Sequence, residues 1–153
     1  MVETLNAGEI CTRIVVVAER DTTLPEAARR MREQHVGCLV VVDAVDAGRV
    51  VVGMITDRDI VTSVVAEEVD PGKLRVEDVM TRDVVKVGEH LPFAEVLSTM
   101  RREGRRRLPV VGAQGILVGL VTLDDVLAVV AEQIGTIAQA IETGERHERA
   151  LRR

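Results

Sequence analysis

Aromatic side chains are almost absent from this sequence, which has no Trp, no Tyr and one Phe among 153 residues. Proteins that bind single-stranded nucleic acid stack bases on aromatic rings, and this chain offers no such platform. Its formal net charge of −5 also argues against a polyanionic partner. Nucleic acid is therefore not an expected partner, and a binding pocket must be lined by aliphatic and polar side chains.

Long apolar runs are also absent, although 46% of the residues are hydrophobic. The apolar residues come in short runs such as 36–42 and 50–55, whereas a membrane helix needs about 18 or more. No basic stretch precedes an apolar one near the N-terminus, so we expect neither a secretory signal nor a transit peptide. The sequence predicts a cytoplasmic protein with no membrane partner.

Residues suited to catalysis or metal binding are few. The chain has no P-loop, no Gly-x-Ser-x-Gly, and no metal-ligand spacing among its His and Cys residues. Cys11 and Cys38 are interpreted as small buried hydrophobes, with a disulfide or a reactive thiol as the less favoured alternative. Asp124 and Asp125 would point about 100° apart on a helix, so they are not expected to share a reacting atom. We expect no catalytic residue, no metal and no required cofactor.

A segment of seven residues occurs twice, 66 positions apart. Residues 53–59 read GMITDRD and residues 119–125 read GLVTLDD. Earlier residues match at an offset of 69: Leu39, Val41 and Val42 correspond to Leu108, Val110 and Val111, and Leu24, Ala27, Ala28 and Met31 to Phe93, Val96, Leu97 and Met100. The three extra residues of the first copy fall in 43–48, which we expect to be a hairpin loop. The pattern indicates duplication of one structural unit.

Each copy is predicted to contain strand, helix, strand, strand and helix, which makes the fold class α+β. The first copy's elements are a strand at 15–18, a helix at 24–34 with a Thr23–Glu26 capping box, strands at 38–42 and 50–55, and a helix that starts after Thr56 and runs to about Ala66. We predict a first domain at 8–68, whose last helix is broken by Asp-Pro-Gly, a linker at 69–78, and a second domain at 79–131. Residues 132–153 are predicted to form a C-terminal helix and a charged tail that frays beyond Thr143.

The C-terminal helix carries an apolar stripe with heptad spacing. Its members are Leu127, Val130, Ile134, Ile137 and Ile141. Such a stripe either packs on its own chain as core or forms a contact between copies. We favour the second interpretation, a homodimer.

The repeated Gly-x-x-Thr-x-x-Asp motif has two interpretations. Thr followed three residues later by an acid is a helix N-terminal signature that needs no ligand. The Gly before it, at the end of an apolar strand, removes a side chain so that another group can approach the backbone. Free N–H groups at such a helix start attract phosphate, and the carboxylate can accept from two ribose hydroxyls. The second interpretation predicts a nucleotide site.

The duplicated pattern resembles a pair of CBS (cystathionine β-synthase) domains, the regulatory unit also called a Bateman module. Two further segments carry the resemblance, Val79-Met80-Thr81-Arg82 and Arg107-Leu108-Pro109-Val110-Val111, and it covers about residues 8–131. The chain as a whole resembles stand-alone bacterial CBS-pair proteins. The resemblance implies two repeats packed as a pseudo-twofold pair, with two clefts that bind AMP, ADP, ATP or S-adenosylmethionine.

The resemblance also implies roles for individual residues. Asp59 and Asp125 would hold ribose hydroxyls, and Thr56 and Thr122 would lie near the phosphate or the ribose. Adenine would contact the chain around Val15, Val36, Val84 and Arg106. Arg58, with Arg105 or Arg107, would bind phosphate, whereas Asp124, the equivalent of Arg58, would repel it. We therefore expect two unequal clefts, the second being weaker or suited to an uncharged tail.

The function that follows is a non-catalytic sensor of adenosyl ligands that acts on an unknown effector protein. Two alternatives stay open: a structural homodimer whose clefts are empty, and, less favoured, an enzyme acting on a nucleotide.

Overall fold

The computed structural model describes residues 5–152. The first copy contains α1 (Ala7–Ile10), β1 (Val17–Ala18), α2 (Leu24–Gln34), β2 (Cys38–Val45), β3 (Gly48–Thr56) and α3 (Asp57–Ile60), which continues as a π-helical turn over Val61–Val65. A 3₁₀ turn at Pro71–Lys73 leads into the second copy. That copy contains α4 (Val76–Val79), β4 (Val87–Gly88), α5 (Phe93–Glu103), β5 (Arg107–Val111), β6 (Leu117–Thr122) and α6 (Leu123–Leu151), with a 3₁₀ turn at Ala113–Gly115.

The two copies form two sheets of the same topology. The strand orders are β1-β2-β3 and β4-β5-β6, each with one parallel and one antiparallel pairing. Even the register irregularities coincide, because one falls between Val41 and Val42 and the other at the equivalent Val110 and Val111. The predicted α+β fold of two equivalent repeats and a C-terminal helix is confirmed.

The α2 helix has the predicted bounds but only half of the predicted capping box. Thr23 Oγ1 accepts a hydrogen bond from the Glu26 N–H at 3.3 Å. The Glu26 carboxylate does not return to the Thr23 backbone; it pairs instead with Arg29 at 2.9 Å and Arg30 at 3.2 Å. Two guanidinium groups within one turn are stronger donors than a single amide, which explains the difference.

The hairpin of the first copy is longer than predicted. The β2–β3 ladder continues through the pairs Asp43–Val50, Ala44–Arg49 and Val45–Gly48. The expected loop at 43–48 is therefore wrong, and only a tight turn remains, in which Gly48 has a φ of 140°. The extra residues lengthen the two strands because continued backbone pairing satisfies polar groups that a loop would leave to water.

The leading segment of each copy packs against the other copy. Ala7 belongs to the core of the second sheet, where its N–H donates to the Leu91 carbonyl at 2.8 Å. Val76 belongs to the core of the first sheet, and its N–H donates to the Thr22 carbonyl at 2.8 Å. This exchange was not predicted. It interlocks the repeats, because each core contains a residue of the other copy.

A third apolar cluster lies between the two sheets. Val40, Val42 and Val51 of the first sheet are buried there, packed against Val111, Leu117 and Leu120 of the second. Val40 is fully buried. Each sheet buries one face in the core of its own copy and the other face in this shared layer. Burial of the second face of each sheet therefore depends on the other sheet.

The motif glycines allow this exchange. A Cβ on Gly53 would lie 2.7 Å from the Thr81 carbonyl oxygen, and one on Gly119 would lie 2.7 Å from the Thr12 carbonyl oxygen. Both distances are shorter than a carbon–oxygen contact permits. The group that approaches the glycine is thus the backbone of the other copy's leading segment, and the Gly position by itself is no evidence for a ligand.

The replacement Gly53→Ala is expected to lower the melting temperature by several degrees. The added methyl group must displace backbone, which costs about 1–3 kcal/mol, and each kcal/mol corresponds to roughly 2–4 °C in a chain of this size. Gly88→Ala is the matched control, because a Cβ at Gly88 meets no atom within 4 Å among the described residues. Equal melting temperatures for the two variants, measured by circular dichroism, would contradict the close approach.

The C-terminal helix is longer than predicted. It runs to Leu151, so the expected fraying beyond Thr143 is wrong up to that residue, and Arg153 lies outside the described residues. Two i,i+4 ion pairs support this part of the helix, Arg146–Glu142 at 3.9 Å and Arg149–Glu145 at 3.6 Å. Such pairs contribute about 0.2–0.5 kcal/mol each to a helix.

Candidate functional site

The Thr and Asp of the repeated motif form a capping box in both copies. Thr56 Oγ1 accepts from the Asp59 N–H at 3.1 Å, and Asp59 Oδ2 accepts from the Thr56 N–H at 2.8 Å. The corresponding distances for Thr122 and Asp125 are 3.2 and 2.7 Å. The purely structural role of the motif is therefore real. Within residues 5–152 the other oxygen of each carboxylate, Oδ1, accepts no hydrogen bond, so it remains available to a ligand.

A cleft of about 440 Å³ opens in front of the first motif. We call it the first cleft. It is lined by Met54, Thr56, Arg58, Asp59, Thr81, Asp83, Val84, Val85, Gly104, Arg105, Arg106 and Arg107. In one copy these residues come from the end of β3 and the start of α3. In the other they come from the segment that precedes β4 and from the turn between α5 and β5. Its volume lies within the range of about 300–1,000 Å³ that is typical of small-molecule sites.

The first cleft collects most of the residues predicted from the sequence. Thr56, Arg58 and Asp59 face Val84 and the Arg105–Arg107 run across it. The remaining predicted residues, which are Val15, Val36, Thr122 and Asp125, do not line this cleft. The structure also adds Thr81 and Asp83, which sequence reasoning missed. The segment Val79-Met80-Thr81-Arg82, which carries part of the family resemblance, was the signal that pointed to this part of the chain.

The first cleft is electropositive. Four arginines and two aspartates line it, so positive charge is in excess. In the described part of the chain, none of Arg58, Arg105, Arg106 and Arg107 forms a salt bridge. Their guanidinium groups are free to hold an anion, and phosphate suits their forked geometry.

From the offsets between the two copies we expect the other four predicted residues, Val15, Val36, Thr122 and Asp125, at an equivalent position, which we call the second cleft. Thr12 pairs with Leu120 through two backbone hydrogen bonds of 2.9 Å, just as Thr81 pairs with Met54 at 2.9 and 3.0 Å. At the second cleft, the corresponding side chains reverse the net positive charge of the first cleft. Val36 stands where Arg105 does, and Asp124 stands where Arg58 does.

Both cysteines behave as small apolar residues. Burial raises the pKa of the Cys38 thiol, and burial likewise raises the pKa of the Cys11 thiol, although nearby Arg13 opposes it. A raised pKa keeps both thiols protonated at neutral pH and therefore poorly nucleophilic.

Between residues 5 and 152, His, Cys, Asp and Glu side chains do not gather in groups of three or more that could hold a metal ion. Over the same residues, no helix combines the length and the apolar character required to cross a membrane.

Comparison with known proteins identifies the fold. The family model described as CBS domain matches residues 7–66 and again 76–132. The chain belongs to the CBS-domain family. It is a pair of CBS domains, a regulatory module. An uncharacterized protein, MK0525, of Methanopyrus kandleri is 33% identical over 138 residues, which are 90% of this chain and 69% of that protein.

Solved CBS-pair structures resemble the chain closely. One is the CBS domain pair of protein MJ0100 in complex with 5′-methylthioadenosine and S-adenosyl-L-methionine; its TM-score is 0.73 at 26% identity, and the match covers 85% of this chain and 98% of that one. Another is a hexameric CBS-CP12 protein from bloom-forming cyanobacteria, with a TM-score of 0.69 at 30% identity over 81% of this chain and 67% of that one.

Proposed function

We propose that this CBS pair is a non-catalytic sensor that binds adenosyl ligands in its two clefts. The observation that carries the proposal is the composition of the first cleft. About 440 Å³ is enclosed by an Asp59 carboxylate oxygen and four arginine side chains, which have no hydrogen-bond or salt-bridge partner among residues 5–152, and by an aliphatic wall at Val84 and Val85. A ribose, a phosphate group and an adenine ring require these three kinds of surface.

In the first cleft we propose AMP, ADP or ATP as the ligand. Asp59 would accept from the ribose hydroxyls, and Thr56 would lie near the ribose or the phosphate. Arg58, with Arg105 or Arg107, would hold the phosphate, while Val84 and the Arg106 backbone would contact adenine. A guanidinium–phosphate pair in a partly enclosed cleft is stronger than a neutral hydrogen bond, and it favours charged nucleotides over adenosine.

In the second cleft we propose an adenosyl ligand without phosphate. Asp124 and Asp125 both carry negative charge, which disfavours a phosphate and is compatible with an uncharged or sulfonium tail. Val15 and Val36 would contact adenine, and Thr122 and Asp125 would contact the ribose. The complex of MJ0100 with methylthioadenosine and S-adenosylmethionine supports ligands of this class in CBS pairs.

The module would act as a homodimer on a separate effector protein. The apolar stripe on α6 supports self-association, because its members are exposed in a single chain. No cofactor is required in this proposal. The residues of the first cleft include no nucleophile paired with a base, which favours binding over catalysis.

A melting screen over AMP, ADP, ATP, GTP, NAD and S-adenosylmethionine tests the proposal. A ligand at 100 times its dissociation constant stabilises the fold by about 2.7 kcal/mol, which raises the melting temperature by several degrees. We expect such a shift with at least one adenine nucleotide and a smaller one with GTP. If none of the six compounds moves the transition, the clefts are empty and the structural homodimer becomes the better description.

A further inference from the structure

The stripe on α6 is an apolar surface that none of residues 5–152 covers. Leu127, Ile134, Ile137 and Ile141 are 57, 62, 61 and 60% exposed, and Val130 is 38% exposed. Glu132 is the single charged residue between Val126 and Ile141. From Leu127 to Ile141 the stripe spans about 21 Å at 1.5 Å per residue. We call these five residues the α6 stripe.

A second uncovered apolar surface lies at the other end of the same helix. A groove of about 770 Å³ runs between α5 and the start of α6. Leu97, 41% exposed, and the half-buried Leu123 give it an apolar surface above the buried Phe93 and Met100, and its cationic residues are Arg101, Arg105 and Arg106. We call it the α5–α6 groove. Arg105 and Arg106 also line the first cleft, so an occupant of the groove would lie beside the proposed phosphate site.

We propose that α6 of one copy docks antiparallel on α6 of a second copy, so that Ile141 of each chain enters the α5–α6 groove of the other. The inference rests on the self-association proposed above and specifies its geometry. Leu123 and the α6 stripe are spaced 4, 3, 4, 3 and 4 residues apart, which reads the same in both directions. An antiparallel pair therefore matches Leu123 with Ile141, Leu127 with Ile137, and Val130 with Ile134 of the other copy.

Charge distinguishes this arrangement from a parallel one. Three glutamates outnumber two arginines in residues 142–149, which follow Ile141 on α6, and antiparallel docking brings this net negative segment to the arginines of the α5–α6 groove. The contacts of Glu142 and Glu145 within their own helix are exposed and long, at 3.9 and 3.6 Å, and are therefore weak. A parallel pair would set Glu142 and Glu145 beside the same residues of the second copy and leave the groove open to water. It would also align the two helix dipoles unfavourably.

The groove also supplies the contact area that the stripe alone lacks. A heptad seam of fewer than about three heptads is short for an independent coiled coil. Seating Ile141 among Phe93, Leu97 and Leu123 adds side-chain burial at both ends of the helix pair, because the contact occurs twice across the twofold axis.

Sedimentation of the full chain tests the contact. We expect a dimer, and we expect Ile137→Lys to weaken it at least tenfold, since a charge would be buried opposite Leu127 of the other copy. The matched control is Leu151→Lys, which alters an 87% exposed residue of the same helix beyond the proposed overlap and should leave the dimer unchanged. A monomeric wild-type chain, or an Ile137→Lys dimer as tight as the wild type, would overturn the proposal.

Cross-linking tests the direction. With a short bis-maleimide, the double variant Leu123→Cys/Ile141→Cys should form covalent dimers. The single variant Ile141→Cys should form no more covalent dimer than the wild type does. Cys11 and Cys38 set the background in all of these proteins. Efficient cross-linking of Ile141→Cys alone would mean a parallel dimer and would overturn the proposal. The same proteins are also used in the melting screen with nucleotides. The cross-linking result tests the docking geometry and the melting result tests ligand binding, so the two proposals can fail independently.

Discussion

AMP is expected to bind Asp59→Ala roughly ten to a hundred times more weakly than it binds the wild type. In the proposed complex the free Oδ1 of Asp59 accepts hydrogen bonds from ribose hydroxyls, and a hydrogen bond to a charged group contributes about 1.5–3 kcal/mol. A factor of ten in affinity corresponds to about 1.4 kcal/mol. Isothermal titration with AMP measures the change.

Asp125→Ala is the control for this loss. It removes the equivalent capping hydrogen bond, at 2.7 Å instead of 2.8 Å, and also the 2.8 Å hydrogen bond that Thr122 Oγ1 donates to Asp125, so it loses at least as much helix stability as Asp59→Ala does. The first cleft does not contain Asp125. The affinity of Asp125→Ala for AMP at the first cleft should then stay within about twofold of the wild-type value, as expected for independent positions. Equal losses in the two variants would count against unequal clefts.

Val40→Asp is expected to abolish folding of both repeats together. Val40 is fully buried in the apolar layer between the two sheets, where a carboxylate would lose its contact with water. An unpaired buried charge costs about 3–5 kcal/mol or more, a large share of the roughly 5–15 kcal/mol that stabilises a domain. Urea unfolding, followed by circular dichroism, should give a greatly reduced midpoint or no folded baseline.

Val45→Asp is the matched control, because Val45 lies on the same strand but is 47% exposed. It should unfold close to the wild-type midpoint. The interlocked leading segments further predict that any residual folded Val40→Asp protein unfolds in one transition. Two separate transitions, one for each repeat, would contradict the shared layer and the exchange of α1 and α4 between the cores.

The repeat made most of the fold predictable from the sequence. Two copies of one pattern located the α2 helix and the strand pairs, because periodicity and turn residues agree locally in each copy. The crossing of the leading segments could not be predicted in this way. Ala7 and Val76 sit in short helices of four residues, too brief for periodicity to detect, and their packing depends on contacts distant in sequence.

The site was predictable in its residue types more than in its assembly. Thr56, Arg58 and Asp59 were recognisable by the motif, and Arg105 by its charge. That they share one cleft follows from the exchange between the copies, which brings the α5–β5 corner of one repeat to the α3 start of the other. Asp83 was missed because its equivalent in the first copy is Ile14, which gives no repeated pattern to notice.

A crystal structure of the chain with AMP tests the central claim most directly. The account predicts AMP in the first cleft, with the ribose hydroxyls donating to Asp59 Oδ1 and the phosphate held by Arg58 and one or more of Arg105–Arg107. A first cleft closed by its own side chains at saturating AMP, with both Asp59 oxygens turned to the backbone of α3, would contradict it.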